Sequence, residues 1–150
     1  MKAPGERGEG EKAAVPLRER ARTVLRAVLA LAMISVGVLH FASPAAFEKM
    51  IPRALPYPLA LVYVSGLAEI AGGAGLLIPR FRRAASFGLI ALYVAVFPAN
   101  INMAVNDLPL GDAPVPTLAL WARLPLQLVF IAWAYWAGRN APDAAAPPRP

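Results

Sequence analysis

The sequence predicts an all-α protein, an integral membrane four-helix bundle with both termini in the cytoplasm. Three observations carry that prediction. Hydrophobic residues make up 58% of the 150 residues and charged ones only 16%, with a mean hydropathy of +0.52. A water-soluble domain of this size is less apolar than that. The apolar residues gather in four runs, each close to the ~20 residues that cross a bilayer core as a helix. The arginines flank alternate ends of those runs, as the positive-inside rule requires.

Residues 1–22 are polar, Gly- and Pro-containing and of mixed charge, which reads as a disordered cytoplasmic tail leading into a basic membrane flank. The first run, about 23–41, is a full span with a poor cleavage site after it, so it reads as a retained helix and not a signal peptide. The connection 42–56 is Pro-rich, with Phe47, Met50, Ile51 and Leu55 at helical spacing; a short interfacial helix and an ordinary loop both fit. The second run covers about 57–79 and the third about 84–105. The fourth, about 118–138, carries Trp121, Trp133, Tyr135 and Trp136 near its ends, where aromatic anchors sit. These runs form one membrane domain over 23–138, and 139–150 is a disordered Pro/Ala tail. All four are apolar on every side, and in lipid a helix is the form that satisfies its own backbone.

Orientation follows from charge. The N-terminal flank of the first run carries Arg18, Arg20, Arg22 and Arg26, the link from the second to the third carries Arg80, Arg82 and Arg83, and Arg139 follows the fourth. The other two links hold Lys49 and Arg53 offset by Glu48, and Asp107 with Asp112. The basic ends belong in the cytoplasm. The net charge of +6 reflects this layout, so nucleic acid is not an expected partner: no basic stripe with interleaved aromatics is present. The 80–83 run reads as a topology determinant, not a lipid-headgroup site. Zero Cys and a single His exclude thiol redox chemistry and thiolate-held zinc, iron–sulfur or haem sites in this chain, and no metal site is expected.

Polar groups at membrane depth are expensive, so they face the bundle or a cavity. The candidates are His40, Glu69, Asn100, Asn102, Arg123 and Gln127. At ~1.5 Å per residue, His40 lies at the outer end of its helix, Glu69 roughly 18 Å down, Asn100 and Arg123 roughly 8 Å, and Gln127 roughly 14 Å. All fall in the outer half and none in the cytoplasmic half, which predicts one polar pocket opening outward. Pro98 and Pro125 sit at matched depth, where kinks would widen that half. Glu69 and Arg123 are the natural ion pair, although about 10 Å of depth separates them. Each residue also has a plainer reading: Glu69 in a purely structural buried pair or helix-packing hydrogen bond, Arg123 snorkelling, His40 at an ordinary helix end, Gln127 as interhelical glue, and the asparagines bonding the carbonyl that Pro98 frees.

Several segments resemble the DoxX/DoxX-like family of four-helix bacterial membrane proteins. They are GVLHF-x2-P-x2-F (Gly37 to Phe47), P-x2-LP (Pro52 to Pro56), Y-x-SG-x2-E-x2-GG-x-GLL-x-P (Tyr63 to Pro79), FPAN (Phe97 to Asn100), and R-x-P-x-Q with W-x2-W (Arg123 to Trp136). The resemblance covers the helical region and implies a bacterial inner-membrane protein associated with oxidoreductase systems, among them thiosulfate oxidation to quinone. It carries no settled catalytic set over to these positions.

Three functional readings follow. The first is a membrane subunit of an oxidoreductase system, with His40 and Glu69 handling protons and Arg123 or Asn100 polarising a carbonyl of a quinone or other small molecule. Any redox cofactor would be bound or brought by an oxidoreductase partner. The second is a noncatalytic scaffold or assembly factor whose faces of Gly66, Gly72 and Gly73 dock partner helices. The third, a small-solute transporter, would need a homo-oligomer, because four helices are few.

Overall fold

The computed structural model describes residues 16–110 and 114–139. The tails expected at the two termini therefore lie outside the described residues, apart from 16–22 and Arg139, and so does Asp112. Five helices make up the fold: α1 (Leu17–Ala42), α2 (Pro44–Glu48), α3 (Pro58–Leu77), α4 (Arg82–Val105) and α5 (Thr117–Gly138). Four of them are long and apolar enough to cross a membrane, which makes the chain a multi-pass membrane protein.

Prolines set the helix boundaries. Pro16 precedes α1, Pro44 opens α2, Pro58 opens α3, Pro79 follows it, and Pro116 precedes α5. Proline fits the first turn, where its missing N–H is not needed, and stops a helix that runs into it. Tyr57 caps α3 in the left-handed region at φ 52°, turning the chain back into the bundle. Helix α1 starts at Leu17, six residues before the expected 23, so residues 17–22 are helical and not part of a disordered tail. The Leu-Arg-Glu-Arg-Ala-Arg sequence there consists of strong helix formers. The 42–56 connection does hold a short helix, α2, followed by turns.

The long helices alternate in direction. The starts of α1 and α4 and the ends of α3 and α5 meet at one end, which carries the arginines and is called the basic end below. Helix α3 packs between α1 and α4, and α4 also packs on α5. Small residues bring α1 and α3 together: a Cβ on Gly37 would sit 2.7 Å from the Gly66 carbonyl oxygen, and one on Gly73 would sit 2.6 Å from that of Ala30. Gly72 gives room to Leu89 of α4 in the same way. These glycines are used inside the bundle, so the partner-docking faces expected of Gly66, Gly72 and Gly73 are already occupied.

Two apolar clusters fill the interior. Leu29, Leu76, Leu89, Tyr93 and Ala134 form one toward the basic end. Met50, Met103, Ala104 and Leu120 form the other at the far end, roofed by the chain after α2. Along α4 and α5 the stretches between the clusters hold Asn100, Arg123 and Gln127. The polar groups therefore occupy the gap between two packed layers.

A polar group is also buried at the basic end, where none was expected. Arg26, read from sequence as membrane flank, is 7% exposed. Its Nε donates to the Ala137 carbonyl at 2.8 Å and its Nη2 to the Arg139 carbonyl at 3.3 Å. A guanidinium on α1 thus caps the final carbonyls of α5, where cations complement the helix dipole.

Candidate functional site

Helix rotation about its own axis decides which side chains enter the gap. On α1, Met33, Val36 and His40 recur at helical spacing and face it; Glu69 comes from α3, Tyr93, Val96 and Asn100 from α4, and Arg123, Gln127 and Phe130 from α5. They enclose a cavity of about 290 Å³. Of the six polar residues singled out from sequence, His40, Glu69, Asn100, Arg123 and Gln127 share this one cavity. Asn102 does not line it: its amide donates to the Met50 carbonyl at 2.9 Å and fastens the chain after α2 to α4.

The expected Glu69–Arg123 ion pair does not form. Glu69 instead has His40 as its neighbour, with Oε2 3.3 Å from Nδ1. That nitrogen is also 2.9 Å from the Val36 carbonyl oxygen. A carbonyl only accepts, so Nδ1 carries the proton and directs it back along α1. Glu69 Oε2 is consequently buried beside the ring without a hydrogen-bond donor. The physical reason is reach. His40 sits opposite Glu69 across the glycine seam, where Gly66 lets α1 approach α3, whereas Arg123 enters from α5 on the far wall. Arg123 Nη1 lies 3.5 Å from Met103 Sδ, a weak acceptor, and the residue lines the cavity.

Gln127 and Asn100 form a relay across α4 and α5. Asn100 Nδ2 donates to Gln127 Oε1 at 2.7 Å, and Gln127 Nε2 donates to the Tyr93 carbonyl. That carbonyl lies one residue before Val94, whose usual donor is removed by Pro98. The loosened stretch of helix is therefore bridged by a side chain of α5, and Asn100 itself bonds Gln127, not the freed carbonyl. Tyr93 in turn points its hydroxyl at Met33 Sδ, 3.0 Å away, closing the cavity floor.

The sequence marks Phe47 only by its helical spacing in the 42–56 connection, not as a site residue. Its ring stacks on His40 with centroids 3.8 Å apart and planes at 23°. It lies on α2, and no periodicity links it to His40 because the helix breaks at Ser43. Trp133, expected as an interfacial anchor, instead packs beside Phe130 with its indole nitrogen buried. Phe47, His40 and Val96 also line a second, mostly apolar cavity of about 360 Å³ between α3 and α4, walled by Val62, Leu92 and Pro98. The stacked His40–Phe47 pair is thus shared by a polar and an apolar compartment. Among the described residues no group of His, Asp and Glu could hold a metal ion.

A family model described as a domain of unknown function (DUF8561) matches residues 29–138, and the chain belongs to that family. The match spans all five polar cavity residues and both compartments. No curated protein and no solved structure matches the chain.

Proposed function

We propose that the protein is a DoxX-like subunit of a bacterial inner-membrane oxidoreductase system, one that holds a quinone or another carbonyl-bearing small molecule in the cavity between its two core layers. The orientation that goes with this reading is N-in/C-in, with the cavity in the outer half of the membrane. One observation carries it: a cavity of about 290 Å³ that holds five polar side chains adjoins a more apolar one of about 360 Å³, and His40 and Phe47 line both. Ligand sites are concave and mostly apolar, with a few convergent polar groups. An amphipathic ligand fits such a pair, its head among His40, Glu69, Asn100 and Arg123 and its tail along α3 and α4.

The chemistry available is binding and proton handling. Arg123 and the Asn100 amide supply donors for a carbonyl oxygen. Glu69 Oε2, with no donor of its own, accepts from a hydroxyl. His40, with its proton held on Nδ1, leaves Nε2 as the nitrogen free to take one up. Electron transfer would be the work of the bound ligand and of an oxidoreductase partner.

The test is extraction of lipids from purified wild-type protein and from Glu69→Gln, followed by quinone analysis by mass spectrometry. Enrichment over bulk membrane in the wild type, lost in the variant, is the expected result. No enrichment in either, with the variant folded, would sink the reading.

A further inference from the structure

A third pocket lies at the opposite end of the molecule. Arg83, Ser86 and Phe87 of α4, with Tyr135, Gly138 and Arg139 at the end of α5, enclose about 320 Å³. The Ser86 hydroxyl already donates to the Ala134 carbonyl at 2.7 Å, so it forms a closed floor. The two guanidiniums form the walls. Each rests on an aromatic ring of the same pocket one helical turn away, Arg83 5.9 Å from the Phe87 ring centre and Arg139 5.8 Å from that of Tyr135. These stacks orient two planar forks from different helices.

Among the described residues neither fork has an anion beside it. Around the pocket, arginines from the start of α1, the α3–α4 link and the end of α5 gather, with Glu19 the sole carboxylate described there. No carboxylate of the described helices supplies their counter-charge. Guanidinium pairs of this kind bind phosphate oxygens in two-pronged fashion.

The surroundings say what carries that phosphate. Three turns along α4 from Arg83 stands Val94, and three turns back along α5 from Arg139 stands Leu128; both are exposed, as are Phe87 and Tyr135. Two apolar stripes thus run side by side from the pocket toward the membrane centre. A free phosphate has no use for them, but two acyl chains do. We infer that the α4–α5 pocket at the basic end binds the phosphodiester headgroup of an anionic phospholipid, with its chains along those stripes. This assigns Arg83 a role beyond topology, and it shares no residue with the cavity at the other end.

The experiment uses the full-length protein in mild detergent and native mass spectrometry with phosphatidylglycerol and phosphatidylcholine of identical chains. The expected result is retention of phosphatidylglycerol over phosphatidylcholine, falling on the order of tenfold in Arg83→Gln/Arg139→Gln. Arg18→Gln/Arg20→Gln, which removes the same charge from the same end, should keep the preference. Arg83→Lys/Arg139→Lys guards against misfolding and should retain part of it. Equal loss in the Arg18/Arg20 control would overturn the site in favour of diffuse charge. Displacement of the lipid by millimolar inorganic phosphate would overturn the lipid assignment, and equal retention of both lipids would overturn the inference altogether.

Discussion

His40 is held from three sides: Phe47 covers one face of the ring, the Val36 carbonyl takes the Nδ1 proton, and Glu69 Oε2 lies against the same edge. Gly66 provides the space for this arrangement. A Cβ there would come within 2.6 Å of His40 Cβ and 3.0 Å of the Gly37 carbonyl oxygen, and neither atom is the loose end of a side chain. Gly66→Ala should therefore push α1 from α3 at the level of the imidazole and cost about 1–3 kcal/mol. Gly88→Ala is the matched control, since a Cβ at Gly88 meets nothing within 4 Å, and it should change stability by less than about 0.5 kcal/mol. Thermal unfolding in detergent compares them; equal melting would show that the seam tolerates more bulk than its geometry implies. The polar residues themselves were legible in the sequence, because an ionisable or amide side chain in an apolar run has few reasons to be there. Their partners were not. Depth along a helix can be counted from its end, but rotation about the axis is set by packing, and rotation is what gave Glu69 to His40 instead of Arg123.

At the scale of elements, the runs of apolar residues and their prolines made four helices readable to within a few residues, α1 excepted. Its added turns matter because they lead into Arg26, which ties α1 to the end of α5. Few other contacts join those two helices, so this guanidinium closes the ring of four. Its importance was in principle visible, as a lone Arg between Leu25 and Ala27 inside an apolar run, but the same residue also fits a basic flank. Arg26→Met keeps the apolar stem and removes the donors from the Ala137 and Arg139 carbonyls. It should destabilise the bundle by about 1.5–3 kcal/mol, the range for hydrogen bonds to a charged group. Backbone hydrogen exchange should quicken in the last turn of α5 and leave the α3–α4 contact unchanged. A uniform change across all helices would show instead that Arg26 acts on general packing. Element α2 was only half readable: its apolar spacing pointed to a short helix, but nothing in that spacing said that Phe47 would lie on an imidazole.

The whole molecule has two unlike ends. One gathers arginines around a pocket of about 320 Å³; the other holds a cavity with five polar side chains under a short helix, joined to a more apolar one. Membranes are similarly two-sided: the cytoplasmic leaflet is anionic, and Lys and Arg stay on that side. If the basic end is cytoplasmic, the headgroup pocket meets the leaflet with its ligand, and the His40–Glu69 cavity lies nearer the opposite surface. The chain contains no cysteine, so a single introduced thiol reports its own side without background. Ala54, exposed in the link after α2, and Arg80, exposed in the α3–α4 link, mark the two ends. In intact cells a membrane-impermeant maleimide should label Ala54→Cys at once and Arg80→Cys only after permeabilisation. The reverse pattern would turn the cavity toward the cytoplasm and remove the anionic leaflet from the arginine pocket. It would then count against the outward-facing ligand site and the phospholipid site together, since both depend on the same orientation of one rigid bundle.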